Sequence, residues 1–526
     1  MTSSTSLRSM PRLVGRVLRW IGVFTLLGVV GLTGVAAWLW SRTQQTNVGE
    51  LSFANPLKIP PLLEPRIDAG GRKIFDLRLQ AGTSELLPGK TTQTWGANGS
   101  YLGPTLRASN GDRVAINVTN ELPEPTSIHW HGMHLPPEAD GGPHQMIDPG
   151  GTWSPGWTID QPAATLWYHP HLHGLTEDHV YRGLAGLFLL DDPQASAMPL
   201  PNRYGVDDIP LIIQDMQFDD HGRLEVGDSL FSSIGRLGSE ILVNGTHDPH
   251  LDISSQRVRF RLLNASTARS YNLGFADNRP FHLIGSDGGL LAEANRVTRV
   301  QLSPGERAEI VVEFASNDRP VLRSYEVDLG LDGFQARFAG ADDRFDLLQM
   351  RAAAELMPTP PLPDRLVDHE RLAEADAIHV RRFELNGSSR INDKKMNMTR
   401  IDETVMVDTT ELWEVTNQSG NPHNFHVHDV QVQIVNYAGA APPPSLAGGK
   451  DTIFLPPHAT VQFLIRFTDY TSSTWPYMFH CHLLRHEDNG MMGQFLVLPA
   501  EQAPGNPPKV STHSDNSGSY GSGPPP

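Results

Sequence analysis

Along most of the chain, apolar residues alternate with polar ones or run together for a few positions. "RKIFDLRLQAG", "RVAINVTNEL" and "GLAGLFLLDD" carry this pattern early, and "DIPLIIQDMQF", "RVRFRLLNAS" and "RAEIVVEF" repeat it in the middle. Each burst is bounded by Gly, Pro, Asn or Asp, so a period of two with frequent turns predicts strands. Residues 351–378, rich in Pro and acids, break the texture and read as a linker. The pattern therefore predicts three β-rich blocks, at 60–195, 205–350 and 379–500. A low-complexity tail over 501–526 is expected to be disordered. The N-terminus shows the opposite pattern: "WIGVFTLLGVVGLTGVAAWLW", residues 20–40, holds no charge. Such a run predicts a helix long enough to span a bilayer, with Trp20, Trp38 and Trp40 at its ends where interfacial aromatics belong.

Charge sets the orientation of that span. Arg8, Arg12, Arg16 and Arg19 precede it and only Arg42 follows closely. This predicts a cytoplasmic segment 1–19, one pass through the cytoplasmic membrane, and a periplasmic or cell-surface bulk. A cleaved signal peptide is the alternative, with "VAA" at 35–37 as its cleavage site. Charged residues at 19%, with 48 Gly and 42 Pro, suit a turn-rich all-β protein. The net charge of −17 argues against general affinity for nucleic acid. Nothing in the composition implies an oligomer.

One cysteine serves 526 residues, so no intramolecular disulfide forms. It lies in "MFHCHLLRHEDNGMMGQF", residues 478–495, with His480 and His482 on either side of Cys481, then His486 and Met491. A thiolate, two imidazoles and a weak thioether are the ligand set of a blue-copper site, so one more histidine must come from elsewhere. In an extended segment, His480 and His482 face away from Cys481. One tripeptide then serves two metal sites and predicts a second, histidine-rich centre. Matching His-x-His pairs stand at His129/His131, His169/His171 and His426/His428, with His423 nearby. They occur only in the first and third blocks, so those two blocks must meet.

These motifs resemble the multicopper oxidases, in particular the bacterial laccases and copper-efflux oxidases. "IHWHG", "DGGP", "HPHLHG", "SDGGLL", "KDT" and "HCHLLRHEDNGMM" follow in family order from about residue 60 to 500. The resemblance implies an all-β fold of three cupredoxin-like Greek-key β-sandwich domains and four copper ions. It assigns the type 1 copper to His423, Cys481, His486 and axial Met491, and the type 2 copper to His129 and His426. The type 3 pair takes His131, His169, His171, His428, His480 and His482. Asp140 and Glu487 match acids the family uses near the cluster, with proton delivery as the implied role and backbone hydrogen bonding as the plain alternative. His134, His144, His173 and His179 are expected to be non-ligands, and Met492 a packing residue.

The implied reaction is one-electron oxidation of phenols or aromatic amines, or of Cu(I), coupled to reduction of O2 to water. Electrons are expected to enter at whichever of His423 and His486 reaches the surface. A dedicated cuprous oxidase would place an acid and a methionine before His423, where this chain has Ser419 and Asn421; only Met396 and Met398 are nearby by sequence. An electron-transfer cupredoxin, a copper nitrite reductase and a copper-free binding module each leave part of the histidine set unexplained.

Overall fold

The computed structural model describes residues 10–226 and 232–508, with the backbone alone at 10–17, 36–37, 39 and 41–43. Arg8 and residues 509–526 lie outside the described residues, and with them the expectation for most of the 501–526 tail. Six principal sheets pack in three pairs, as the strand alternation predicts. Phe75, Ile116, Leu166 and Phe188 lie in the first sandwich core, and Leu211, Phe260, Leu273 and Leu348 in the second. In the third, Phe383, Trp413, Phe425, Phe463, Phe479 and Phe495 interlock in a core that also holds the buried Cys481. Burying each such aromatic side chain stabilises the fold by roughly 1.5–3 kcal/mol.

The linker expectation needs correction at its start. Phe345–Met357 is a strand that pairs in parallel with Pro249–Ser255, so residues 351–357 belong to the second sandwich. Its last residues are largely exposed at a sheet end, which removes the apolar alternation that marks a strand in sequence. Residues 44–57 also leave the expected order. Asn55–Pro56 pairs in parallel with Pro249–His250, and Leu57 enters the second core. The chain thus crosses the second sandwich before it builds the first.

The N-terminal run forms one helix, Met10–Thr43. Its stretch Leu18–Val35 is long and apolar enough to cross a membrane, and none of it is buried against the protein.

Candidate metal centres

Two short strands bring the first histidines together. His129–His131 pairs with Thr165–His169, so that His129 lies opposite His169. In the third sandwich His423–Val427 pairs with Tyr477–His480, setting His426 opposite His480. All ten histidines assigned by resemblance are buried, and eight of them gather where the ends of these strands meet between the first and third sandwiches.

They fall into separate groups. The Nε2 atoms of His171, His428 and His480 stand 3.1–3.2 Å apart. The Nδ1 of His428 donates to Asp140 Oδ2 at 2.7 Å, and that of His480 to the Cys481 carbonyl at 3.2 Å. These partners place the protons on Nδ1 and leave bare lone pairs converging at Nε2. Three imidazole nitrogens tetrahedrally arranged about 2 Å from one ion lie about 3.3 Å apart, so the triangle fits a metal.

His131, His169 and His482 form a second group. His131 Nε2 is taken by Asp451 Oδ1 at 3.0 Å, so its Nδ1 faces His169 Nε2 at 3.4 Å. His482 is buried with no protein partner for either ring nitrogen, a costly state that a metal relieves. His129 and His426 approach through Nε2 at 3.5 Å, while their Nδ1 atoms donate to the carbonyls of Asp140 and Asp451. The grouping is two plus three plus three.

The remaining set surrounds the thiol. Cys481 Sγ lies 3.5 Å from His423 Nδ1 and 3.7 Å from His486 Nδ1, and the two nitrogens are 3.0 Å apart. Met491 is buried beside them; its carbonyl accepts from the Cys481 N–H and its N–H donates to the His486 carbonyl. Met492 starts the next strand, opposite His480. His480 and His482 belong to the two different triads, so one covalent tripeptide touches both and carries the thiol.

Neither type 1 candidate ring reaches the surface, which corrects the expected electron entry. Ser419 Oγ contacts His423 Nε2 at 2.8 Å, and His486 Nε2 donates to the Ser233 carbonyl at 2.8 Å. Ser233 Oγ also donates to Asn421, joining the second sandwich to the third over the two rings.

Burial disfavours charge on most of these rings. Desolvation, reinforced by neighbouring imidazoles, holds His131, His169, His171, His426, His428 and His480 well below the usual histidine range. It lowers His482 to about 3 and His486 to about 4. Their lone pairs are free for metal at neutral pH. Burial pushes the Cys481 thiol up to about 12, so a bound cation is what would make it a thiolate.

Asp140 and Glu487 each approach rings of the His171–His428–His480 triad. Asp140 also lies 3.3 Å from His129 Nδ1. Glu487 is 3.4 Å from His171 Nδ1 and 3.3 Å from His480 Nδ1, and accepts from Thr176 Oγ1 at 2.8 Å. Burial raises the Glu487 carboxyl well above the usual range, aided by neighbouring Asp488, which favours its protonated form.

The four neighbouring histidines stay out of these groups: His144 bonds Gln494, His179 bonds Glu124 and Thr126, and His173 stands apart. His134 pairs with Asp429 at 2.8 Å across the first and third sandwiches. Burial opposes its charge, yet Asp429 raises it to about 9. Stability from this pair is full below the ordinary histidine value near 6.5 and is lost as pH rises through about 9. His134→Gln is expected to cost on the order of 2 kcal/mol at pH 6 and much less at pH 10, read from denaturant midpoints. Equal losses at both pH values would remove the ion pair from the account.

Three contributors escaped the sequence. Arg307, fully buried in the second sandwich, donates to both Asp451 oxygens at 2.7 and 2.5 Å and to the Thr165 carbonyl. Asp451, in turn, orients His131. Gly305, at φ +85°, sits where a Cβ would come within 2.9 Å of the His482 ring. "KDT" marked Asp451 only as part of a motif, and no local signal marks the other two.

Comparison with known proteins agrees with this architecture. Multicopper oxidase family models match residues 78–195 and 364–501. The chain is 36% identical to the cell division protein FtsP of Photorhabdus laumondii, over 88% of this chain and 94% of that one. It is 35% identical to the multicopper oxidase mco of Staphylococcus aureus, over 86% and 94%. The crystal structure of laccase from Pediococcus acidilactici superposes with a TM-score of 0.77 at 35% identity, covering 84% of this chain and 94% of that one. With its paired β-sheets, its thiol flanked by histidines and these relatives, the chain belongs to the multicopper oxidase family.

Proposed function

We propose that this chain is a laccase-like oxidase holding four coppers. A type 1 ion is bound by His423, Cys481, His486 and Met491, a type 2 ion by His129 and His426, and a type 3 pair by the two histidine triads. Bound copper supplies one-electron cycling at the thiolate site and reduction of O2 to water at the cluster. The observation that carries the reading is the run His480–Cys481–His482, whose thiol lies in one donor set and whose imidazoles lie in two others. Three domains, at 60–195, 205–357 and 379–500, divide the work: the first and third supply ligands, and the second walls the cluster with Gly305 and Arg307.

The side chains around the metals position, exclude and move protons. Asp140 and Asp451 fix ring orientations, the second-shell role that sets ligand basicity. Glu487 holds a proton beside the cluster, placed to deliver it as oxygen is reduced. Ser233, Ser419 and Asn421 exclude water from the type 1 rings. Electrons enter across this thin polar cover, which requires close approach of a donor rather than a shaped pocket.

The donor class follows from what stands at that cover. The outer nitrogens of His423 and His486 meet Ser419 Oγ and the Ser233 carbonyl, whereas Met396 and Met398 are half-buried and the Met396 N–H donates to the Gly490 carbonyl. Soft thioethers that would gather Cu(I) are thus missing among the described residues that contact the two outer ring nitrogens. Steady-state rates with a phenol and with Cu(I), measured side by side, test this. Met396→Leu/Met398→Leu is expected to leave phenol turnover within about twofold. A much faster Cu(I) activity in the parent, lost in the double variant, would make copper detoxification the better reading.

A second reading rests on the similarity to FtsP, whose name assigns it to cell division. On that reading the chain acts at the division site, and its role there survives loss of the type 1 copper. Complementation of a deletion strain by Cys481→Ser separates the two.

A further inference from the structure

The N-terminal helix does not end in a loose tether. Gln44 Nε2 donates to the Asp342 carbonyl at 2.9 Å, and the Gln45 N–H to Asp343 Oδ1 at 2.8 Å. Arg269 donates to Gln45 Oε1, and Asn47 bonds the backbone of Arg344 and Asp346. Every residue from 44 to 47 is engaged with one face of the body or bridges to it.

The helix itself also touches that face. Arg337 donates to the Trp40 carbonyl at 2.9 Å, and its guanidinium lies 5.0 Å from the Trp40 ring centre. Trp40 meets Phe334 edge-on at 5.0 Å, and Phe334 stacks with Phe338 at 6.1 Å. These residues belong to a short helix, Gly333–Phe338, that packs on the third core through Ala336. Phe334 nevertheless remains 53% exposed, and Trp38 58%.

The height of this cluster along the helix identifies its surroundings. The uncharged run 20–40 ends at Trp40, and its helix spans about 31 Å, the thickness of the hydrocarbon core. A ring against Trp40 therefore sits at the boundary where aromatic side chains concentrate.

We propose that Trp38, Trp40 and Phe334 form an aromatic platform by which the folded body seats on the lipid interface, beside the span rather than hanging from it. This rests on the reading of residues 20–40 as a retained anchor. The occupant is a bilayer surface and the attraction is apolar, because Asp328 and Asp332 flank the helix and its Arg337 is buried against Trp40 and Asp342. Gly340, just past the helix, packs near Leu237 in the loop that carries Ser233 over His486, so the seated face adjoins the type 1 cover.

The buried, single Cys481 makes a direct test practicable. Full-length Phe334→Cys, labelled with an environment-sensitive thiol fluorophore, is reconstituted in phosphatidylcholine nanodiscs with and without brominated acyl chains. Glu121→Cys, exposed on the first sandwich, is the control. The label at position 334 is expected to shift blue and to lose at least half its emission to brominated lipid, equally at low and high salt, while the control does neither. Protein that co-migrates with nanodiscs but gives matching signals at both positions keeps the anchor and overturns the platform. Protein that fails to co-migrate overturns the anchor reading and the platform with it.

Discussion

Cys481→Ser is expected to abolish the blue thiolate-to-copper band and to lower substrate oxidation at least about a thousandfold, a loss of roughly 4 kcal/mol of transition-state stabilisation. The substitution removes the sulfur from a site with no exposure while changing the side-chain volume little, so the fold persists. A serine hydroxyl is a hard, neutral donor and does not replace a soft thiolate. The two triads and the His129–His426 pair keep all their side chains, so on the proposed four-copper reading about three of four metal equivalents are expected to remain bound. Metal analysis and the visible spectrum read this together. A variant that keeps the blue band would place the type 1 ion elsewhere.

Glu487→Gln is expected to lower O2-dependent turnover by about a hundred- to a thousandfold, the range for loss of a positioned proton donor. The amide keeps the shape and still accepts from Thr176, so copper content and blue band stay as in the parent. Anaerobic reduction of the type 1 site by a phenol is expected to proceed at the parental rate, which separates a proton defect from a metal defect. The pH profile gives a second sign. Burial raises the parental carboxyl, so it donates below its own value and the rate falls as pH rises through it. The glutamine variant loses that alkaline limb. Turnover within about threefold of the parent would leave Glu487 a purely structural neighbour of His171 and His480.

Strand alternation made the class of fold legible, and histidines spaced about a single thiol made the candidate ligands legible. Both are local signals. A period-two alternation fixes which side chains a sheet buries, as in "RVRFRLL", whatever lies across from it. The thiol between His480 and His482 implies two sites because neighbouring residues of an extended segment face opposite ways. The limits of that logic show at residues 351–357, where an exposed sheet end carries no alternation, and at residues 44–57, whose partners lie some 200 to 300 positions away.

Whatever depends on approach between distant segments came only with packing. The order of histidines along the chain says nothing about which triad each joins; the meeting of strand ends from two sandwiches sorts them. The choice of Nδ1 at His131 follows from Asp451, 320 residues on, held by Arg307 from the second sandwich. A fully buried guanidinium persists only where charges and carbonyls surround it, and no local pattern announces that those partners will be near. The burial of the His423 and His486 rings belongs to the same class, because Ser233 reaches His486 only once the second and third sandwiches have packed.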